Sequence, residues 1–207
     1  MSGTSSDVMS PENLVNQALD KIGYPQSIAS LYEGSRAAQV AVRIYSQTRD
    51  ELLRAGDFPF ARQRYVLTLL KTAPPGGYGA TGWTTAYPPV PWVYEYAYPT
   101  NALDVRSVRP VPTIIPDNNP FYSRFVVTTD PTVTPQKVIV TNLGPSAQAV
   151  ITAQIVDPTQ WEAVFVDQFI DALAMELQQA LDPDVAQTQL KSAEAQRAAA
   201  AGETRRG

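Results

Sequence analysis

An α+β fold is predicted for this chain: a helical bundle formed by N- and C-terminal helices, with an antiparallel β-sheet or sandwich region inserted between them and a flexible C-terminal helical tail. Three observations predict it. Of 18 prolines, 15 fall between Pro59 and Pro158, which excludes long helices from the middle of the chain and permits them at both ends. Apolar residues recur at helical spacing on either side of that stretch. Within it, β-branched and aromatic residues gather in short runs bounded by Pro, Gly, Asn or Asp, with no helix between them, which argues against a doubly wound sheet. The 207 residues divide accordingly into an N-terminal helical part (1–58), an inserted β region (59–156), a closing bundle helix (157–182) and a tail (183–207).

The first helix starts at Ser10, which caps it, with Pro11 at the first helical position, where its missing N–H costs nothing. Leu14, Ala18, Leu19 and Ile22 share a face, and Gly23 ends the helix. A second helix carries Ala37, Val40, Ala41, Ile44, Tyr45, Thr48 and Leu52 as one stripe. Arg36, Gln39, Arg43, Gln47, Asp50 and Arg54 form the opposite one, and Gly56 is the stop. Strands are predicted over Arg62 to Leu70, Trp92 to Tyr98, Leu103 to Arg109, Phe121 to Thr129, Lys137 to Thr141 and Ala147 to Val156. Helix returns at Asp157, which caps, with Pro158 first and Gln160 as the capping-box partner. Trp161, Phe165, Phe169, Leu173, Leu177 and Leu181 share its face, and Val164, Val166 and Ile170 widen it, so this helix calls for more than one neighbour. Beyond Asp182-Pro183-Asp184 the Ala/Gln/Glu-rich tail has helix propensity but little to bury.

Composition excludes whole classes of chemistry. With no His and no Cys, there is no Ser-His-Asp triad, Cys-His dyad, thiolate zinc site, histidine-ligated metal or disulfide. No cofactor is expected. A formal net charge of -4, from 16 Lys and Arg against 20 Asp and Glu, rules out a basic nucleic-acid clamp, since phosphate neutralisation is what produces that affinity. No stretch approaches the ~20 apolar residues a membrane span requires, and Met1 to Ser10 lacks a basic region followed by an apolar core. The expectation is a soluble protein, not exported by a classical signal and without a membrane partner.

Several constellations invite a chemical reading. Gly77-Tyr78-Gly79-Ala80-Thr81-Gly82 matches G-x-G-x-x-G, but Pro88, Pro89 and Pro91 forbid the helix that a dinucleotide site needs after it. The segment Lys71 to Pro91 reads instead as a long loop whose Tyr78, Trp83 and Tyr87 favour a protein interface. Asp167 and Asp171 lie one turn apart, and Asp182 and Asp184 flank a proline; a solvated helix face and a helix break explain them better than a metal or paired-carboxylate site. Tyr94, Tyr96 and Tyr98 share one strand face, as a stacking platform would, although cross-strand packing is the simpler use. Arg36, Arg43 and Arg54 on the polar stripe of the second helix invite a phosphate-contact reading, but with Asp50 one turn from Arg54, Asp20 and Glu33 near in sequence and a negative net charge, solvent or subunit-subunit salt bridges explain them better.

The segments from Leu14 to Gly23, from Ile28 to Ser35 and from Tyr45 to Arg54 resemble, in order and spacing, the tubular tail protein A family, the head-to-tail adaptors of short-tailed bacteriophages. Asp57-Phe58-Pro59-Phe60-Ala61, the Tyr-rich strand Trp92 to Pro99, and Asp157 to Trp161 running into Phe165, Phe169, Ala172, Leu173 and Leu177 continue the resemblance over most of the chain. Relatives often have Trp before the position of Phe60, where this chain has Phe58 and Pro59; the loop from Lys71 to Pro91 and the Ala-rich tail look individual. The resemblance implies a virion protein of the tail or neck, assembled in the host cytoplasm. It implies a dodecameric ring beneath the portal protein, which extends the DNA ejection channel and presents its far face to the tail nozzle protein. DNA would pass through the lumen without sequence-specific binding. On that reading the tail around Arg197, Arg205 and Arg206 docks on the portal, and the loop bearing Tyr78, Trp83 and Tyr87 faces the nozzle. The protein is then not an enzyme. The rival from another class is a carbohydrate-binding or glycan-hydrolysing module of a phage tail, built on the tyrosine strand with carboxylates such as Glu95 or Asp104.

Overall fold

A computed structural model describes residues 9–74, 88–111, 124–132 and 136–182. Among the described residues the fold is mixed α+β, with three α-helices and two antiparallel sheets. The chain divides into two compact units, one made of the residues up to Leu52 together with those from Ile155 onward, the other of Leu53–Gln154.

In the first unit, helix α1 (Pro11–Lys21) starts as its sequence dictates: the Ser10 hydroxyl accepts from the Asn13 N–H at 3.2 Å, with Pro11 in the first turn. It ends at Gly23, whose φ of +68° is left-handed backbone that glycine adopts without a Cβ penalty. Leu14, Val15, Ala18 and Leu19 are buried, so the apolar stripe is one residue wider than the spacing alone gives. The connection to α2 (Arg36–Ala55) is tied down by polar side chains. The Asn16 amide donates to the Ile28 carbonyl at 2.9 Å and accepts from the Ile28 N–H at 2.8 Å. Glu33 accepts from the Ala29 and Ser30 N–H groups and from the Ser35 hydroxyl, and Ser35 in turn accepts from the Ala38 N–H to cap α2. On α2 the buried residues are Ala37, Ala38, Val40, Ala41, Tyr45, Thr48, Arg49 and Leu53. The expected Ile44 and Leu52 lie at the margin of that face.

The closing helix begins later than its capping signal predicts. Asp157 accepts from the Thr159 N–H, but it caps only a 3-10 turn, Pro158–Gln160, and helix α3 runs Ala163–Leu181 behind Glu162. Trp161 therefore precedes the helix. Its indole N–H donates to the buried Ile155 carbonyl at 3.0 Å, an anchor that holds residues 161 and 162 extended between turn and helix. The ring meets Phe165 and Phe169 edge-on, with centroids 5.0 and 5.1 Å apart, and Tyr45 meets Phe169 at 5.0 Å. Such pairs add about 0.5–1.5 kcal/mol each beyond their burial. Phe165, Val166, Phe169, Ile170, Leu173, Ala174 and Leu177 are all buried, and α1 packs against α3. The wide apolar face thus finds its cover within the chain. Val164, expected to widen that face, is instead 62% exposed.

In the second unit the predicted strand from Arg62 to Leu70 is two strands in two sheets. β1 (Arg62–Val66) is an edge of the sheet ordered β1-β7-β4; β2 (Leu69–Thr72) is an edge of the sheet ordered β2-β3-β6-β5. The change happens within one dipeptide: the Leu67 N–H donates to Ala147 O of the first sheet, and Thr68 O accepts from the Ala97 N–H of the second. The remaining strands are β3 (Tyr94–Ala97), β4 (Ala102–Pro110), β5 (Phe125–Asp130), β6 (Gln136–Thr141) and β7 (Ala147–Ala153). The expected strand from Phe121 is described only from Phe125, and the one expected to reach Val156 ends at Ala153. Every residue of β7 is buried, as suits the central strand of three. Gly56, the expected stop of α2, follows its last residue; its φ is not left-handed, and a Cβ there would meet the Phe58 ring, which would have to shift.

Candidate functional site

The residues singled out for docking, Tyr78, Trp83 and Tyr87 and Arg197, Arg205 and Arg206, lie outside the described residues, as do Gly77 to Gly82 and Asp184. The others can be placed. Asp171 pairs with Lys21 across α3 and α1. Arg36 donates to Ala180 O near the C-terminus of α3 at 3.3 Å, where the helix dipole favours a cation. Asp50 pairs with the neighbouring Arg49 at 2.8 Å, and Arg49 is itself buried. Glu33 is spent on its loop; its hydrogen bonds, led by that from Ser35, hold its carboxyl below the usual range.

The tyrosine face of β3 is occupied by protein. Tyr94 packs on Gly144, where a Cβ would come within 2.6 Å of the ring. Tyr96 is fully buried and its hydroxyl donates to Leu143 O at 2.9 Å. The Lys137 ammonium lies 3.7 Å from the centre of the Tyr98 ring. Cross-strand packing, the simpler of the two readings, accounts for all three.

On the opposite face of β3, Glu95 enters a cluster that the strand pattern alone does not reveal. Lys71 of β2 pairs with Asp130 of β5 and lies 3.9 Å from Glu95, so one ammonium links the two edge strands of the four-stranded sheet. Glu95 is fully buried and Asp130 nearly so, with Lys71 partly open to solvent. Burial drives the Glu95 carboxyl up; Lys71 opposes that and Asp130 reinforces it. Burial also raises Asp130, but the Lys71 ammonium and the hydroxyl and N–H of Thr132 outweigh it and bring the group down to about 2. Two carboxyls driven apart in this way are the pattern of an acid/base pair. Here both carboxyls are buried within the four-stranded sheet, and their effect falls on its stability. Asp104 is exposed on β4, in the other sheet.

Among the described residues of the second unit, a set of apolar side chains and a pocket are open. Tyr65 and Val66 on β1 and Leu69 and Leu70 on β2 are exposed, Val66 to 65%, on strands that each form a sheet edge. A pocket of about 390 Å³ lies over the three-stranded sheet, lined by Arg62 and Arg64 of β1, Ser107, Arg106 and Arg109 of β4, Val150 of β7, and Asp57. A bulge builds this pocket. Val105 is opposite Ile151 and Ser107 opposite Val150, leaving Arg106 as the extra residue. The inserted residue lets Val105 face the core while Ser107 and Arg109 turn to the polar side. The guanidinium of Arg106 donates to the Thr152 hydroxyl at 2.6 Å and to Gly56 O, and lies 3.3 Å from Asp57. Asp57 also pairs with Arg62 at 2.5 Å, which with Arg106 holds its carboxyl below the usual range. Sequence reasoning missed this site, although its arginines stand in the pairs Arg62-Gln63-Arg64 and Arg106-Ser107-Val108-Arg109.

Among the described residues no group of three His, Cys, Asp or Glu side chains is placed to hold a metal ion, and no helix is long and apolar enough to cross a membrane. No protein-family model matches the chain, and no curated protein is significantly similar to it.

Proposed function

We propose that this chain is a structural subunit of a bacteriophage neck, a head-to-tail adaptor that joins a portal to a tail nozzle as a ring and extends the channel through which DNA leaves. The observation that carries the reading is the pair of strands, β1 and β2, that end their sheets among the described residues and bear exposed apolar side chains. Unpaired strand edges bearing apolar side chains are a liability in a lone soluble protein and a resource in one that meets copies of itself. A unit assembled from both ends of the chain, with a β segment between them, agrees with the resemblance carried by Leu14 to Gly23, Tyr45 to Arg54 and the aromatic run from Trp161 to Phe169. In its finer form this reading makes α1, α2 and α3 a bundle and the two sheets an inserted sandwich. The buried state of the α3 face moves the source of assembly away from that helix and toward the strand edges and the terminal tail.

In this role the protein catalyses no reaction and needs no cofactor; the acidic balance of the chain lets DNA pass without being gripped. Mass measurement in solution, alone and mixed with a portal ring, tests the proposal. The expected result is a monomer or weak associate alone and a closed ring on the portal. Truncation after Pro183 abolishes portal binding while the core stays folded, and Trp83→Ala with Tyr87→Ala weakens nozzle attachment but spares the portal. A chain indifferent to any portal ring overturns the reading.

A further inference from the structure

We propose that Lys71, Asp130 and Glu95 form a proton-gated clasp on the four-stranded sheet, holding its two outer strands together while Glu95 carries a proton and releasing β2 as that proton leaves. β2 and β5 lie at opposite ends of the order β2-β3-β6-β5 and are not neighbours. The Lys71 ammonium nevertheless reaches from one to the other, donating to Asp130 and, at 2.8 Å, to the Thr132 hydroxyl. That hydroxyl and the Thr132 N–H both donate to the second Asp130 oxygen at 2.7 Å, so the carboxylate is braced for its cation. β2 is a short strand of four residues, with one neighbouring strand among the described residues and a register break between Leu69 and Lys71. A charge-assisted bond is roughly twice as strong as a neutral one, and on so short a strand it decides whether the edge stays down.

Glu95 lies beneath this clasp on β3, opposite Lys71 in the β2 ladder and Val140 in the β6 ladder. It is fully buried, and neither of its carboxyl oxygens has a hydrogen-bond donor. The Lys71 ammonium is 3.9 Å away and already committed to Asp130 and Thr132. An ionised carboxylate without a single donor is costly to bury. As a neutral acid the same group fits, because its O–H can turn to the Asp130 carboxylate beside it, and the cluster balances as one cation, one anion and one neutral acid. Among the described residues the charged groups that face Glu95 are Lys71 from β2 and Asp130 from β5; Val140, which β6 sets against it, is neutral. Burial raises the Glu95 carboxyl, Lys71 opposes that rise and Asp130 adds to it. Loss of the proton places a second anion under one ammonium. Lys71 is then drawn inward from Asp130, or water enters to solvate Glu95, and both loosen the tie between β2 and β5. Asp130 sets the lower limit, since at about 2 it too takes up a proton, so the clasp is shut between that value and the raised value of Glu95. This inference is independent of the adaptor reading, since it requires neither a ring nor a portal.

Hydrogen exchange of the full chain tests it, followed at residues 69–72 from about pH 5 to 9 and corrected for the intrinsic rate, alongside carbon NMR of the glutamate carboxyls. The Glu95 signal, assigned by its absence in Glu95→Gln, is expected to titrate well above the ordinary glutamate value. Between those two values the closed sheet holds one proton more than the open one, so protection of β2 falls about tenfold per pH unit. In Glu95→Gln, a permanent mimic of the neutral acid, that slope disappears. In Asp104→Asn, which changes an exposed carboxyl on the other sheet, it remains. Mild urea leaves β2 exchange unchanged while it speeds exchange of β7, as local release requires. A Glu95 carboxyl that titrates at or below the ordinary value in the parent chain overturns the clasp. So does a β2 slope that Glu95→Gln does not alter, or β2 exchange that rises with urea in step with β7.

Discussion

Glu95 carries the most consequential single-residue chemistry in the molecule. Its folded carboxyl is raised above the ordinary value, first by burial and then by Asp130, so its contribution to stability is complete below about pH 4.5 and is lost as pH rises through the folded value. Asp130 has the opposite sign. Lowered to about 2 from 3.8, it contributes stability above about pH 4 that disappears as pH falls toward 2. Glu95→Gln, which keeps the shape of the protonated acid, is therefore expected to be more stable than the parent at pH 7, with the difference shrinking toward pH 4. Urea unfolding at a series of pH values measures this, and a parent more stable than the variant at neutral pH contradicts it. Lys71→Met should act the other way at neutral pH, leaving both carboxyls without their cation. A cost of about 2 kcal/mol is expected, below the value for a fully buried pair because Lys71 is partly solvated.

At the scale of elements, the local signals that were legible in the sequence are those written in covalent geometry. Ser10 with Pro11 begins α1 and Gly23 ends it, because a cap, a fixed φ and a left-handed turn each depend on a few adjacent atoms. The signals that misled were those a distant partner overrides. Asp157 with Pro158 does cap a turn, but the Trp161 indole bonded to Ile155 O delays the helix to Ala163. The run from Arg62 to Leu70 has unbroken β propensity, yet at Leu67 and Thr68 its backbone partner changes from β7 to β3, and nothing in the run marks the change. The bulge at Arg106 is equally silent: plain alternation would place Val105, Ser107 and Arg109 on one face, and the pocket exists because it does not. Where a polar side chain fixes an element, substitution exposes the dependence. Asn16→Ala removes both bonds to the Ile28 backbone and is expected to cost about 1–3 kcal/mol, since the Ile28 N–H and carbonyl lose their partner. Chemical denaturation measures it, and faster hydrogen exchange between Tyr24 and Ser35 localises it. Phe169→Ala, at the centre of the aromatic cluster, should cost about 3–5 kcal/mol.

For the whole molecule, the decisive matter is how much of its surface is unfinished. Most of the helical face expected to need partners is buried, and among the described residues the exposed apolar side chains include Val66 and Leu70 on consecutive edge strands, neither of which contains a proline. Edges of this kind pair with whatever strand comes within reach, and in a closed ring each copy offers its edge to the next in the same geometry. Charge at those positions is the device by which soluble proteins refuse such pairing. Val66→Lys combined with Leu70→Lys should therefore leave the isolated chain folded, since both side chains already face solvent, with a stability change within about 0.5 kcal/mol. On the proposed adaptor reading, the same variant should fail to form a ring on the portal while single copies still dock. Mass photometry of the mixture separates the cases: single copies on the portal are expected from the variant and closed rings from the parent, and closed rings from both would show that assembly runs through some other surface.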